Sequence, residues 1–528
     1  MRKIEIFDST LRDGAQGQGI SFSLEDKLKI LTCLDAFGVE FVEAGNPGSN
    51  PKDLEFFKRA ETLNLKTKLV SFGSTKRKEI APEDDDNLKA LLTANTEYIA
   101  IFGKSWDLHA TEILRVSLEE NLDMIERTIK YLVSLGKKVL FDAEHFFDGY
   151  KANPEYAIAA LKAAERAGAR TLVLCETNGG CFPHEVAEIT KAVKAQVSTP
   201  LGIHCHNDSE CAVANTLAAV NAGAEHVQGT FIGIGERCGN ANLAVLIANL
   251  QLKLGFDCIP DGNLPLLKET AHYIAQTANV ALPNTMPYVG GSAFAHKGGM
   301  HVDGVSKIPA SFEHIEPEKV GNERNFLLSE VSGRAVLFSK MKVIDPTLEK
   351  TDPIIQKMTD LVKALEHLGY QFEAAGASFE LLVLKELGWF KPYFDIIDFK
   401  IISSHYGDTL SRASALIKVK VGEEFEITAD EGDGPVNAID KALRKALEKF
   451  YPALSQMRLV DFKVRIVGGN DNTAATTRVL IESTDGKTSW TTVGASKDII
   501  NASMLALLDS IEYMLYINGE RNFNYKEI

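Results

Sequence analysis

The sequence predicts an α/β chain: a (β/α)8 barrel, then a helical linker subdomain, then an α+β domain built from duplicated βββα units. Three observations carry this. In the first half, short β-branched runs alternate with amphipathic stretches eight times. Those eight units fill about 260 residues, the size of one such barrel. The last part of the chain carries a three-strand-plus-helix pattern twice. A doubly wound sheet is the alternative for the first half, but it rarely runs to eight even repeats.

The expected strands are Lys3–Phe7, Phe41–Ala44, Lys68–Phe72, Tyr98–Phe102, Lys138–Ala143, Thr171–Glu176, Leu201–His206 and His226–Phe231. Helices are expected between them, for example Leu24–Phe37, Leu118–Leu135 and Pro154–Ala167. Small-residue breaks such as Phe37-Gly38 and Ala167-Gly168-Ala169 end several of them. From about Asp261 to Lys391 the pattern changes. Leu264–Asn279 and Pro353–Glu366 read as helices, and the Gly-rich stretch Gly290–His301 between them reads as a mobile loop. Beyond Pro392, strand-like runs at 396–404, 413–421 and 424–429 precede a helix at Pro435–Phe450. Runs at 457–467, 475–484 and 487–494 precede a second helix at Lys497–Leu515. Pro435 sits in the first turn of one helix, and Ser496 is the expected N-cap of the other. The domains are therefore expected at 1–262, 263–391 and 392–528.

Bulk properties limit the function. Of 528 residues, 45% are hydrophobic and 24% charged, enough for a large core. The net charge of −15 argues against a nucleic-acid partner, which wants a basic surface. No apolar stretch approaches the roughly 18 residues of a membrane span. The opening MRKIEIFDSTLRDG has no apolar signal segment, so the cytoplasm is the expected compartment. Seven cysteines without a Cys-x-x-Cys pair speak against a disulfide framework or zinc knuckle.

The strongest chemical signal is His204-Cys205-His206-Asn207-Asp208, ending strand seven. Positions i and i+2 of a strand face the same way, so both imidazoles point into the barrel mouth, where such barrels build their sites. Arg12-Asp13-Gly14 follows strand one, and Gly235–Asn240 follows strand eight. Barrel closure makes these neighbours, so Asp13, His204, His206 and Asn240 can converge on one Mg²⁺, Mn²⁺ or Zn²⁺ ion. Taken alone, Asp13 could instead cap a helix. Arg12 is placed to stabilise an enolate or alkoxide. Asp142 and Glu144 are inward carboxylates ending strand five, and Arg12 is their expected partner. Thr177 is free either to bind a substrate carboxylate or to cap the next helix.

Asp8-Ser9-Thr10-Leu11-Arg12-Asp13-Gly14-Ala15-Gln16, the His204–Asp208 run and the Gly235–Asn240 run resemble the 2-isopropylmalate, homocitrate and citramalate synthase family. Ala15–Gly19, Ser71–Ser74 and Asp142–Tyr150 are most similar to its citramalate-forming members, and Gly432–Ala438 resembles the family's regulatory domain. Many isopropylmalate synthases carry Glu after Arg-Asp-Gly; this chain has Ala15. The resemblance implies a homodimeric enzyme that condenses acetyl-CoA with pyruvate on a divalent metal, under feedback by an amino acid, isoleucine first and leucine second. Arg12, Glu144 and His301 are the implied catalytic residues, with His301 reaching the site from a linker and Asp303 orienting its ring. Arg12, Gln16, Asp142 and Thr177 are the implied substrate contacts. The Gly432–Gly434 loop, at a helix N-terminus, could hold an effector carboxylate. The rivals are lyases and aldolases running the reverse chemistry, isopropylmalate synthase with a roomier pocket, and a catalytically dead amino-acid sensor.

Overall fold

A computed structural model describes residues 2–48, 50–260, 262–327, 334–406, 410–467 and 474–519. The chain forms two compact units, Met1–Phe294 with Ile315–Arg324, and Ala295–His314 with Asn325–Ile528.

In the first unit eight parallel strands close into a barrel, β8 pairing back onto β1. They are β1 Glu5–Asp8, β2 Phe41–Glu43, β3 Lys68–Ser74, β4 Tyr98–Lys104, β5 Lys138–Glu144, β6 Thr171–Glu176, β7 Leu201–Cys205 and β8 His226–Gly229. The helices between them are α1 Leu24–Phe37, α2 Pro51–Ala60, α3 Asp86–Thr93, α4 Leu118–Ser134, α5 Phe146–Ala152, α6 Pro154–Arg166, α7 Pro183–Lys194 and α8 Ala212–Ala222. Helices α9 Leu243–Ala248 and α10 Leu267–Thr277 complete the unit. Local chemistry fixes the helix ends. Ser23 and Asp26 form a reciprocal capping box at the start of α1, and Gly38 closes it with φ 95°.

Strand parity sorts the side chains. Val139, Phe141 and Ala143 of β5, and Ile203 and Cys205 of β7, join the apolar layer under the helices. The alternate positions face the barrel axis. There Phe7, Phe41, Val70, Tyr98, Ala100 and Leu140 form an inner apolar plug. Two residues further along their strands lie Glu43, Phe72, Phe102 and Asp142, with His204 on β7 and His206 just after it. The polar set is thus held at the C-terminal mouth above an apolar floor.

In the second unit the Gly-rich stretch departs from the loop expectation. It supplies a two-residue strand, β9 Ala295–His296, and a helix, α11 Gly299–Lys307. Glycine lowers helix propensity, but Val302 and Val305 are buried on this helix, and that packing overrides the local preference. Strand β10 Asn325–Phe326 pairs with β9. Helices α12 Arg334–Ile344, α13 Pro353–His367 and α14 Gly376–Glu386 follow. The duplicated pattern folds as expected. Strands β11 Asp395–Tyr406, β12 Leu410–Val421 and β13 Glu424–Gly432 form an antiparallel sheet followed by α15 Pro435–Leu447. Strands β14 Arg458–Val467, β15 Thr476–Thr484 and β16 Ser489–Ser496 form a second, followed by α16 Ile499–Ile517. Both halves share one apolar core, with Ile417, Leu443, Ile481 and Leu507 among its members. The N-cap of α16 is Asp498, not Ser496. The Asp498 carboxylate accepts the N–H groups of Ile500 and Asn501, while Ser496 Oγ accepts that of Asp498. Among the described residues no helix is long and apolar enough to cross a membrane.

Candidate active site

The barrel mouth encloses a cavity of about 230 Å³ lined by residues that include Arg12, Asp13, Gln16, Asp142, Glu144, Thr177, His204 and His206. Arg12 and Asp13 come from a tight turn after β1, in which both backbone N–H groups donate to Ser9 O, at 3.1 and 2.8 Å. Asp13 starts a short 3-10 turn without capping it through its side chain. Its Oδ2 instead lies 3.4 Å from His204 Nε2 and 4.0 Å from His206 Nε2, and the two Nε2 atoms are 3.3 Å apart. Asn240 donates from Nδ2 to Asp13 Oδ2 at 3.3 Å. Asp13, His204 and His206 are mutually close enough to hold one metal ion.

The wider network orients these donors. His204 Nδ1–H donates to Gln228 Oε1 (3.0 Å), and Gln228 Nε2 donates to Asp142 Oδ1 (3.1 Å). That fixes the His204 tautomer and leaves the Nε2 lone pair on the metal side. Burial drives the His204 pKa down to about 3, so the ring is neutral at pH 7, as a ligand must be. Burial also opposes ionisation of Asp13, but the charge of Arg12 leads the opposing effects and the carboxyl stays below its ordinary range. Asn240 Oδ1 is buried and has no partner, and turning the amide over would add an oxygen to the cluster. Glycines keep this corner closed. A Cβ at Gly235 would fall 2.0 Å from Asn240 Oδ1, and Gly239 adopts φ 86° where a Cβ would meet Gly233 O. The donor set therefore fits a divalent ion.

Two expected pairings differ. Arg12 meets Glu43, with Nε donating to Oε2 at 2.6 Å, and its Nη1 lies 3.1 Å from Asp13 Oδ2. Asp142 and Glu144 are not its hydrogen-bond partners. Asp142 takes Gln228, and Glu144 pairs with Lys104. The reason is geometry: Arg12 leaves β1 beside β2, whereas β5 lies across the barrel. The guanidinium carbon of Arg12 also lies over the Phe72 ring, 3.9 Å from its centroid. Three buried carboxyls, Asp13, Glu43 and Asp142, thus surround one guanidinium. Burial first, then the charge of Glu43, pushes the Asp142 carboxyl well above the ordinary carboxylate range. Thr177 Oγ1 accepts the N–H of His145 at 2.9 Å, and the next helix is capped at Phe182, so Thr177 caps nothing.

His301 belongs to α11 in the second unit, where it is exposed and stacked on Phe312 with centroids 4.4 Å apart. Asp303 does not orient it. Its carboxylate bonds Lys307 at 2.6 Å, one helical turn on. At the head of α15, Asn437 Oδ1 accepts the N–H of Asp433 within the Gly432–Gly434 loop. Glu43, Gln228 and Lys104 were missed from sequence. Strand parity could have found all three, since Glu43 stands two positions after Phe41, Gln228 two after His226 and Lys104 two after Phe102.

Three family models match this chain: HMGL-like over residues 3–272, homocitrate synthase post-HMGL domain-like over 288–369, and LeuA allosteric (dimerisation) domain over 373–515. The (R)-citramalate synthase of Aquifex aeolicus is 52% identical, covering 98% of this chain and 99% of its own. That of Geobacter sulfurreducens is 48% identical over 98% and 99%. The chain belongs to the citramalate synthase family. A probable 2-isopropylmalate synthase of Methanopyrus kandleri is further away, 31% identical over 96% and 98%. The departure at Ala15 from the Arg-Asp-Gly-Glu pattern of many isopropylmalate synthases accords with that ranking.

Proposed function

We propose that this chain condenses the acetyl group of acetyl-CoA with pyruvate and hydrolyses the thioester, giving (R)-citramalate and free CoA in the cytoplasm, toward isoleucine. The observation that carries the reading is the meeting of Arg12, Asp13, His204 and His206 in a cavity narrowed by the stacked rings of Phe72 and Phe102, 5.2 Å apart. Enzymes of this family work with a divalent metal and acetyl-CoA. Asp13, His204 and His206, with Asn240, are the residues that would hold the ion, which when bound polarises a 2-oxo acid's ketone. Arg12, fixed by Glu43, presents its remaining N–H groups to oxygen where negative charge develops. Asp142 lines the same space, and Gln16 and Thr177 on its wall are the residues we take to hold a substrate carboxylate. Glu144 and His301 are the candidate bases for the acetyl methyl. Either must remove a proton from a very weak carbon acid, so it must be held in line with the methyl C–H.

A thiol-release assay across 2-oxo acids tests the reading. Pyruvate should exceed 2-oxoisovalerate in kcat/KM by at least about tenfold, the discrimination a small apolar pocket achieves per extra carbon. Higher efficiency with the branched acid would move the assignment to isopropylmalate synthesis, and no release with any acid would favour a non-catalytic sensor.

The LeuA-type domain supports a dimer with an amino-acid effector, for which we take isoleucine. Titration calorimetry on the full chain should give saturable heat with isoleucine. Silence with isoleucine and leucine at millimolar concentrations would leave the domain a dimerisation module. We further assign His301 as the base, acting across that dimer. Mixing Arg12→Ala with His301→Ala protein should then restore about a quarter of wild-type activity, since half the dimers are mixed and each has one intact site. Absence of recovery after proven subunit exchange returns the role to Glu144.

A further inference from the structure

Beside the catalytic cavity lies a second one, of about 350 Å³, which shares Phe102 as a wall. Its other lining includes Lys76, Arg77 and Lys78 on one side, and Leu114, Val116 and Met124 on another. Three consecutive cations are conspicuous in a chain of net charge −15. Their neighbours do not neutralise them. Lys76 is 4% exposed, yet the partner of its Nζ is the backbone carbonyl of Arg77 at 3.2 Å. Among the described residues, no carboxylate forms an ion pair with Lys76, Arg77 or Lys78. The acidic run that follows is committed elsewhere. Asp85 accepts the backbone N–H groups of Arg77, Asn87 and Leu88, and Asp84 lies 3.9 Å from Lys89.

The backbone pins this run. Thr75 N–H donates to Phe102 O at 3.1 Å, Lys76 N–H to Thr128 Oγ1 at 2.9 Å and Arg77 N–H to Asp85 Oδ2 at 2.8 Å. The backbone of this run is therefore held by groups other than its cationic side chains, and a buried ammonium facing only a carbonyl is costly unless a ligand supplies the counter-charge. The opposite wall is apolar, and its Leu114 ends a π-helical turn, His109–Leu114, a backbone irregularity common at functional sites. Cations on one wall and an apolar bed on the other match a phosphorylated purine nucleoside.

We propose that this cavity holds the phosphorylated adenosine end of acetyl-CoA, with Lys76, Arg77 and Lys78 on the phosphates and Leu114, Val116 and Met124 against the adenine. This rests on the reading that an acetyl thioester of CoA is the donor. The wall shared through Phe102 lets the pantetheine arm carry the thioester into the catalytic cavity.

The test is an Arg77→Ala/Lys78→Ala double variant, both side chains being exposed. KM for acetyl-CoA should rise at least about tenfold, as expected when charge-assisted phosphate contacts are lost. Both kcat and KM for pyruvate should stay within twofold. With the acetyl thioester of N-acetylcysteamine, which has no nucleotide, wild type and variant should behave alike. Adenosine 3′,5′-bisphosphate should bind the full-length wild type by calorimetry, and the variant should lose that binding. Lys76→Met, which keeps the buried stem, should act in the same direction. An unchanged KM for acetyl-CoA, or an equal rise with the truncated thioester, overturns the proposal. Loss of bisphosphate binding with unchanged KM for acetyl-CoA also overturns it, since the cavity would then serve an independent nucleotide. The bisphosphate titration needs no turnover, so it reads the site even if the condensation itself is not found.

Discussion

Replacing His204 by alanine should leave a folded protein that has lost its metal and lowered kcat by well over a hundredfold. The reasoning starts from the ring's two nitrogens. Nε2 is one of three donors that converge within 4.0 Å, and Nδ1–H is spent on Gln228. Removing the ring deletes a donor and leaves Gln228 Oε1 without its hydrogen, a defect of about 1–3 kcal/mol that a chain with so large a core should survive. A graded control is Gln228→Leu, which keeps every ligand and removes only the group that orients His204. Such orienting partners typically account for ten- to a hundredfold in metal affinity or activity, so this variant should fall between wild type and His204→Ala. Elemental analysis, thermal unfolding and turnover in chelator-treated buffer with metal added back are the measurements. Wild-type metal content or turnover in His204→Ala would remove Asp13, His204 and His206 from the metal role.

Much of this arrangement could be read from the chain because a strand has a period of two. Once Leu201–His206 is a barrel strand, His204 and His206 must point the same way, and the apolar Ile203 and Cys205 between them must face the helices. The same parity in Lys138–Glu144 sends Asp142 and Glu144 inward, and both line the catalytic cavity. What parity cannot give is which inward group meets which. That depends on how far each strand is shifted against its neighbours. Asp8 lies opposite Val42, and this register sets Glu43 beside the turn that carries Arg12. Nothing local in Phe41-Val42-Glu43 records that alignment. The Gly299–His301 segment departs from its local preference for the opposite reason. Its local preference is for loop, and only the burial of Val302 and Val305 makes it helical. Asp498 displaced Ser496 as a cap by two positions, a choice between two good capping residues that propensity alone does not resolve.

Arg12→Ala should lower kcat by about a hundred- to a thousandfold, the usual consequence of losing a donor aimed at developing oxyanion charge. It should also destabilise the protein, and the two effects can be separated. Glu43 is fully buried, its Oε2 takes Ser9 Oγ and Arg12 Nε at 2.6 Å each, and its Oε1 has no partner. Taking away the guanidinium strands that carboxylate in the barrel, and breaking such a buried pair from one side costs about 3–5 kcal/mol. Burial already raises the Glu43 pKa, so without Arg12 the group should take up a proton rather than stay charged. Glu43→Gln, combined with Arg12→Ala, removes the stranded charge and should recover most of the lost thermal stability. It should recover none of the activity, because an amide carries no positive charge and cannot replace the cationic fork of Arg12 at that place. Arg12→Lys should sit in between, stable because the charge persists, but at least about tenfold slower because an ammonium cannot hold Glu43 and reach the substrate oxygen together. Melting temperature and kcat measured on all three variants decide the matter. If the double variant regains turnover along with stability, Arg12 serves only to neutralise Glu43, and the stabilisation of the reacting oxygen must be sought in another residue.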